Sequence, residues 1–211
     1  MNIYSFLSIG YDLLDRIWLS EKGNDPRRVI ESILPNEKCK VLDMCCGTFT
    51  NGLSIARKNR NNLVVGLDRS KPMLREGKRK VIREGLNNVK LLCRDATDTR
   101  LKEGSFDYII IGLVLHECDP DLTNKILKEA HRLLKRDGSL IILEWEKQSS
   151  IYRRIKYAPL YLAEVMCNPG YFTEFYKADK KEFFKGYGFE TSLSISCNYT
   201  VVMKLKKNLE A

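Results

Sequence analysis

The sequence predicts an α/β fold, a doubly wound, seven-stranded, mostly parallel sheet with a C-terminal antiparallel hairpin. Three observations carry this expectation. Short runs such as KVLDM, LVVGLD and FDYIIIG are apolar almost throughout, as strands buried on both faces are. Segments with helical spacing stand between them, so successive strands can return to one sheet through helical crossovers. Two β-type runs, 189–197 and 199–205, are separated by almost nothing and must pair around Asn198.

Taken in order, residues 40–44 read as the first strand and 51–58 as a helix. Residues 63–68 form the second strand. A helix over 70–84 follows, with Ser70 as N-cap and Pro72 in its first turn, and Gly85 ends it. The third strand is 89–94, and the bulkier 106–112 is the fourth. Leu122, Ile126, Leu127, Ala130, Leu133 and Leu134 fall on one stripe of a helix over 121–135. Asp137-Gly138 then turns the chain into a fifth strand, 139–145. Beyond it come a helix-like stretch over 151–165, a loop at Asn168-Pro169-Gly170, a short helix over 178–186 and the hairpin. The expected organisation is a single domain over 1–211: a helical cover over 1–35 bearing Tyr4, Phe6, Tyr11 and Trp18, a ligand-binding core over 40–146, an insertion over 149–176, and the last helix and hairpin over 177–207.

Composition narrows the class. The 211 residues suit one full-sized domain, and 44% hydrophobic with 30% charged residues exclude a disordered or fibrous chain. The longest uncharged apolar stretch, 108–115, falls far short of the about 20 residues of a helical membrane span. The opening MNIYSFLSIGYDLLDRI has no basic n-region, so a cytoplasmic protein is expected. Seven cysteines, without a C-x-x-C pair or a histidine at ligand spacing, read as reduced thiols and predict no metal site. The net charge of +9 leaves nucleic acid open as a partner. The basic residues are spread along helix faces, however, which does not favour it.

In a doubly wound sheet the ligand sits beyond the carboxyl ends of the strands. Here three successive strand ends bring Asp43 with Cys45-Cys46-Gly47-Thr48, then Asp68, then Asp95-Ala96. Asp68 follows the glycine turn at the distance at which an acid reaches a ribose. Only Gly47 occupies the turn itself, which disfavours a pyrophosphate. Carboxylates around it suit a ligand with cationic groups. S-adenosylmethionine combines a ribose, an ammonium, a sulfonium and an adenine amine.

The segments VLDMCCGTFTNG, VVGLDRSKPML, CRDATD and FDYIIIGLVLHE, in this order and spacing, resemble the successive cofactor-site motifs of class I S-adenosylmethionine-dependent methyltransferases. The resemblance covers about 40–146, and the Cys-Cys-Gly-Thr turn with the early YDLLDRI is most similar to the ubiquinone/menaquinone-biosynthesis type. It implies a Rossmann-like methyltransferase fold and S-adenosylmethionine as cofactor, with S-adenosylhomocysteine as product. It assigns Asp43, Cys45, Gly47 and Thr48 to the methionyl portion, Asp68 to the ribose hydroxyls, Arg69 and Met73 to the adenosine, Asp95 with Ala96 to the adenine, and the Gly112 carbonyl to the ammonium. Tyr11 would cover the cofactor. Cys45 and Phe49 stand where the family commonly has glycine, and Phe49 would reshape the methionine end of the site.

Methyl transfer by in-line displacement asks the protein mainly for positioning and the exclusion of water. If a base is used, His116 in LVLHEC is the expected catalytic residue, with Glu117, Glu144 and Glu146 as alternatives, whereas mid-helix His131 reads as structural. The insertion supplies Tyr152, Tyr157, Tyr161, Met166, Tyr171, Phe172 and Phe175, which suit an apolar or planar small-molecule acceptor and equally the packing of a lid. Two other readings stand beside a small-molecule methyltransferase: an RNA or protein methyltransferase, which requires a basic rim around the site, and a non-catalytic protein that keeps the cofactor fold.

Overall fold

Strand β1 (Lys40–Met44) lies inside a seven-stranded sheet with β2 (Leu63–Asp68), β3 (Val89–Cys93), β4 (Phe106–Gly112), β5 (Leu134–Trp145), β6 (Phe189–Cys197) and β7 (Thr200–Lys207), in the order β3-β2-β1-β4-β5-β7-β6. The computed structural model describes residues 25–167 and 170–208. The expected cover over 1–24, with Tyr11, lies outside the described residues. Strands β1 to β5 are parallel, and β7 runs antiparallel to both its neighbours. The chain winds outward from β1 through β2 to β3, then crosses to β4 on the other side of β1. The strand order therefore reverses between β1 and β4, where such sheets open a crevice.

Alternate strand residues face opposite layers. Leu42, Met44, Ile109, Ile111, Leu140 and Ile142 pack on one face with Ile126, Leu127 and Ala130 of helix α4 (Pro120–Leu133). Val41, Val64, Ile110 and Ile141 pack on the other with Ile30 of α1 (Pro26–Ile33) and Leu53, Ile55 and Ala56 of α2 (Thr50–Lys58). Helix α3 (Lys71–Arg83) starts where the Ser70 hydroxyl accepts from the Met73 N–H, and α4 where Asp119 accepts from the Leu122 N–H at 2.7 Å.

The structure corrects three boundaries. Helix α4 stops at Leu133, and β5 begins at Leu134, five residues before the expected start of the fifth strand. Phe106 pairs with Leu134 and Tyr108 already with Ser139, so Asp137-Gly138 is absorbed in a bulge within the strand pair. The insertion after β5 forms α5 (Ile151–Cys167) and α6 (Tyr171–Lys177), and α6 was not expected. Asp179 caps a separate helix, α7 (Lys180–Lys185), by accepting from the N–H groups of Lys181 and Glu182. The hairpin turns through Asn198 at φ 49° as expected, but β7 starts at Thr200 and inserts between β5 and β6.

Candidate active site

The turn after β1 is built from left-handed backbone, with φ 59° at Cys45, 51° at Gly47 and 62° at Phe49. Its register against β2 is fixed by the Cys46 N–H donating to the Leu67 carbonyl at 2.9 Å. Asp68 ties the turn to the next helix: its Oδ2 accepts from the Gly47 N–H at 2.8 Å and its Oδ1 from the Ser70 N–H at 2.7 Å. A carboxylate oxygen has two lone pairs, so both oxygens keep capacity for a ligand. A side chain at Gly47 would meet nothing within 4 Å, which leaves the backbone there open to an approaching group.

Phe49 does not reshape the site as expected. Its side chain is fully buried beneath α2, where a Cβ at Gly52 would come within 2.1 Å of the ring and one at Gly66 within 2.6 Å. A bulky residue at positive φ costs about 1–2 kcal/mol, and burying a phenylalanine returns about as much or more. Asp43, expected at the methionyl portion, is also buried and absent from the cavity lining; its Oδ2 accepts from the Gly52 N–H at 2.8 Å. Burial pushes the Asp43 carboxyl up to about 7; the Gly52 bond opposes the rise and the charge of Asp68 adds to it.

A cavity of about 350 Å³ opens at the β1/β4 crevice. Cys45, Gly47, Thr48, Asp68, Arg69, Met73, Asp95, Ala96 and Gly112 all line it, from the ends of four adjacent strands. Asp95 Oδ1 accepts from the N–H and hydroxyl of Thr97 at 2.8 and 2.7 Å, and these bonds hold its carboxyl below the usual range. A Cβ at Gly112 would lie 2.7 Å from Asn51 Nδ2, so a larger residue there would push the Asn51 side chain aside. Asn51 lines the same wall, and its Oδ1 is buried without a hydrogen-bond partner among the described residues. A larger hollow of about 660 Å³ lies between α1 and α2, lined by Arg27, Arg28, Arg57 and Glu31 with no strand-end residue.

The far wall carries a histidine between carboxylates. His116 sits in a short 3-10 helix, Leu115–Glu117, and is 2% exposed. Its Nδ1 meets Glu144 Oε2 at 2.7 Å, while Glu144 Oε1 accepts from the N–H groups of Val114 and Leu115 at 3.0 and 2.8 Å. Glu144 is fully buried, at the end of β5 and off the cavity wall, so it orients the ring and does not face a ligand. Nε2 faces Glu164 Oε2 at 3.6 Å and Glu117 Oε1 at 3.9 Å. Burial alone would lower the His116 pKa, but Glu144 and Glu164 outweigh it and raise it to about 10. The ring is therefore an imidazolium at neutral pH. His116, Glu117 and Glu164 also bring three possible metal-ligand atoms, one nitrogen and two carboxylate oxygens, within 4.8 Å of one another.

The remaining sequence candidates fall elsewhere. Glu146 accepts from the Ser196 hydroxyl at 2.9 Å and is absent from the cavity lining. The His131 ring packs edge-on against Phe189 at 5.5 Å, a structural role. Tyr157, Tyr161 and Phe172 stack among themselves and against Trp145, Tyr176 and Tyr199, whereas Tyr152 and Met166 face solvent. The aromatic insertion is thus a packed lid whose contributions to the cavity are Leu160 and Glu164. The lining residues missed by sequence reasoning include Glu164, Trp145 and Asn51. For Glu164 a signal exists: it is the lone acid in the apolar run YLAEVMC.

A switch-point cavity walled by the ends of four adjacent strands, with the carboxylates of Asp68 and Asp95 on one side, defines an α/β nucleoside-cofactor domain. The methyltransferase domain family matches residues 41–138. The demethylmenaquinone methyltransferase of Staphylococcus epidermidis is 37% identical over 145 residues, 67% of this chain and 58% of that protein. The one of Bacillus cereus is 32% identical over 167 residues, 78% of this chain and 69% of that protein. A solved SAM dependent methyltransferase from Aquifex aeolicus, 19% identical, matches the fold with a TM-score of 0.73 over 95% of this chain and 97% of that one. The chain belongs to the class I S-adenosylmethionine-dependent methyltransferase family, in the branch that includes the demethylmenaquinone methyltransferases. It spans little more than half the length of the first of these relatives.

Proposed function

We propose that the chain transfers a methyl group from S-adenosylmethionine to a small, planar, hydroxylated acceptor of the naphthoquinol kind. The observation that carries this is one cavity with two unlike walls: strand-end carboxylates and an open glycine turn on one side, the His116–Glu164 pair on the other. The names of the relatives support the acceptor class.

The residues present fit the cofactor. Asp68 and Asp95 offer acceptors for ribose hydroxyls and an adenine amine, Met73 and Ala96 supply apolar contact, and Arg69 stands beside them. The orphaned Asn51 Oδ1, with the Gly112 carbonyl, suits an ammonium, and Gly47 leaves room for the methionyl chain. Tyr11 is retained as a covering residue. When bound, the sulfonium supplies an already activated methyl group. The chain's tasks are to orient the acceptor, exclude water and move one proton.

Protonated His116, held by Glu144, donates from Nε2 to the acceptor oxygen and steadies negative charge growing there. Glu164, facing the same point, takes the hydroxyl proton. The buried Trp145 Nε1–H lines this wall without a hydrogen-bond partner among the described residues and supplies a second donor. Around the cavity, Asp68, Asp95, Glu117 and Glu164 balance Arg27, Arg69 and Arg94, so the described lining residues are of mixed charge, which does not favour a nucleic-acid substrate. The six described free cysteines suit the reducing conditions of the cytoplasm, where we place the protein.

Titration calorimetry with S-adenosylhomocysteine, beside a methyl-transfer assay on a water-soluble demethylnaphthoquinol, tests the reading. Micromolar binding that weakens about tenfold or more in Asp68→Ala is expected, as for hydrogen bonds to a charged group. Binding without methylation of the naphthoquinol would overturn the acceptor class, and no binding would overturn the activity.

A further inference from the structure

Helix α5 is apolar on both its faces. The inner one is explained: Tyr157 and Leu160 are buried, and Leu160 and Glu164 line the cavity. The outer one is not. Ile151, Tyr152, Ile155, Leu162 and Met166 are 73, 71, 69, 59 and 82% exposed. At 3.6 residues per turn these five, with Pro159, fall within a stripe about 100° wide that contains no charged residue. Arg154 and Lys156, both exposed, border it on either side. Single exposed apolar residues are ordinary, but a contiguous stripe of this size marks an interaction surface.

We propose that α5 docks the protein on an anionic lipid surface, with the stripe lying in the boundary between headgroups and acyl chains. The flanking arginine and lysine and the net charge of +9 complement anionic headgroups, and an apolar stripe edged by basic residues is the pattern of a helix lying in that plane. The inner face of the same helix walls the cavity, so a lipid-soluble acceptor would enter beside α5 without crossing open water. That entry route rests on the activity proposed above; the docking does not.

Vesicle flotation with the full chain tests it, using phosphatidylcholine vesicles with and without phosphatidylglycerol. The chain should float with the anionic vesicles, less so at high salt, and the pair Ile155→Asp with Leu162→Asp should cut the bound fraction roughly tenfold or more. The same variant should keep its melting temperature, its affinity for S-adenosylhomocysteine and its activity on a water-soluble acceptor. Failure to float with anionic vesicles, or equal flotation of the variant, would overturn the proposal. So would a lipid-free dimer that these substitutions dissociate, since a second copy would then own the stripe. A fall in the variant's melting temperature would overturn it too, by showing that the stripe is covered within the chain. If no form transfers methyl groups while the vesicle results hold, the activity fails and the docking stands.

Discussion

Asp43 puts a proton inside the folded protein that the unfolded chain does not hold. Its carboxyl is pushed up from the ordinary 3.8 to about 7, mainly by burial. The folded state therefore binds more protons than the unfolded one between about pH 4 and 7, and stability from this group is full below that window and is lost as pH rises through it. Asp43→Asn keeps an oxygen for the Gly52 N–H and should flatten the decline, on the order of 2–4 kcal/mol, in urea unfolding followed from pH 4.5 to 8. Parallel curves for the two proteins would refute the assignment. At His116 the sign is likewise that of a raised pKa, about 10, so the imidazolium persists through neutrality. If it acts as donor and Glu164 as proton acceptor, kcat should stay level from about pH 6.5 to 9. Glu144→Gln removes the chief raising charge, so kcat should fall as pH passes 7, by about a hundredfold at its largest, with KM little changed. A rate that climbs with pH in the unmodified enzyme would make His116 the base. Gly47, Asp68, Asp95 and His116 were legible because each sits beside a strand end in the sequence. Glu164 comes from a distant insertion, and only tertiary packing brings it to 3.6 Å from Nε2.

Helix α2 and strand β2 are held apart by one ring. Phe49 lies between Gly52 and Gly66, and an added methyl at Gly52 would overlap it outright. Gly52→Ala should cost on the order of 2–3 kcal/mol through overpacking. In a Phe49→Leu background the cost should shrink to about 1 kcal/mol or less, a coupling that a double-mutant cycle by chemical denaturation would read. Additive losses would mean that the two positions do not share that space. At this scale the regular strands and capped helices could be read from the sequence, since apolar runs and Ser70 state them locally. The bulge at Asp137-Gly138 could not, because a two-residue turn signal is the same whether it ends a strand or bends one. The direction of the Phe49 ring was hidden too, being set by space that two glycines free on separate elements.

The sheet order decides where ligands can stabilise the molecule. Because the cavity draws on the ends of β1, β2, β4 and the loop after β3, a bound cofactor ties four elements together. S-adenosylhomocysteine at 100 times its Kd should add about 2.7 kcal/mol, or roughly 5–10 °C in Tm for a domain of this size, and Asp68→Ala should remove most of that shift. A Tm unmoved by ligand would place binding elsewhere. The parallel half of the topology follows from alternating strands and helices with right-handed crossovers. The hairpin pairing followed from its short turn, but which of its two strands meets β5 did not. Both have apolar stretches, and the choice rests on the richer burial of β7, whose first four residues are all covered.

That choice has a consequence for synthesis. Strand β7 is made after the six other described strands, yet among the described residues it is the only link between β6 and the rest of the sheet. On the ribosome, β5 must therefore wait with an open edge while α5, α6, α7 and β6 emerge, and β6 has nowhere to attach until residues 200–207 are free. A nascent chain held just short of β7 is expected to be cut readily by protease within 150–197 and protected once β7 has cleared the exit tunnel. Equal protection at both lengths would show that the parallel half organises the insertion unaided.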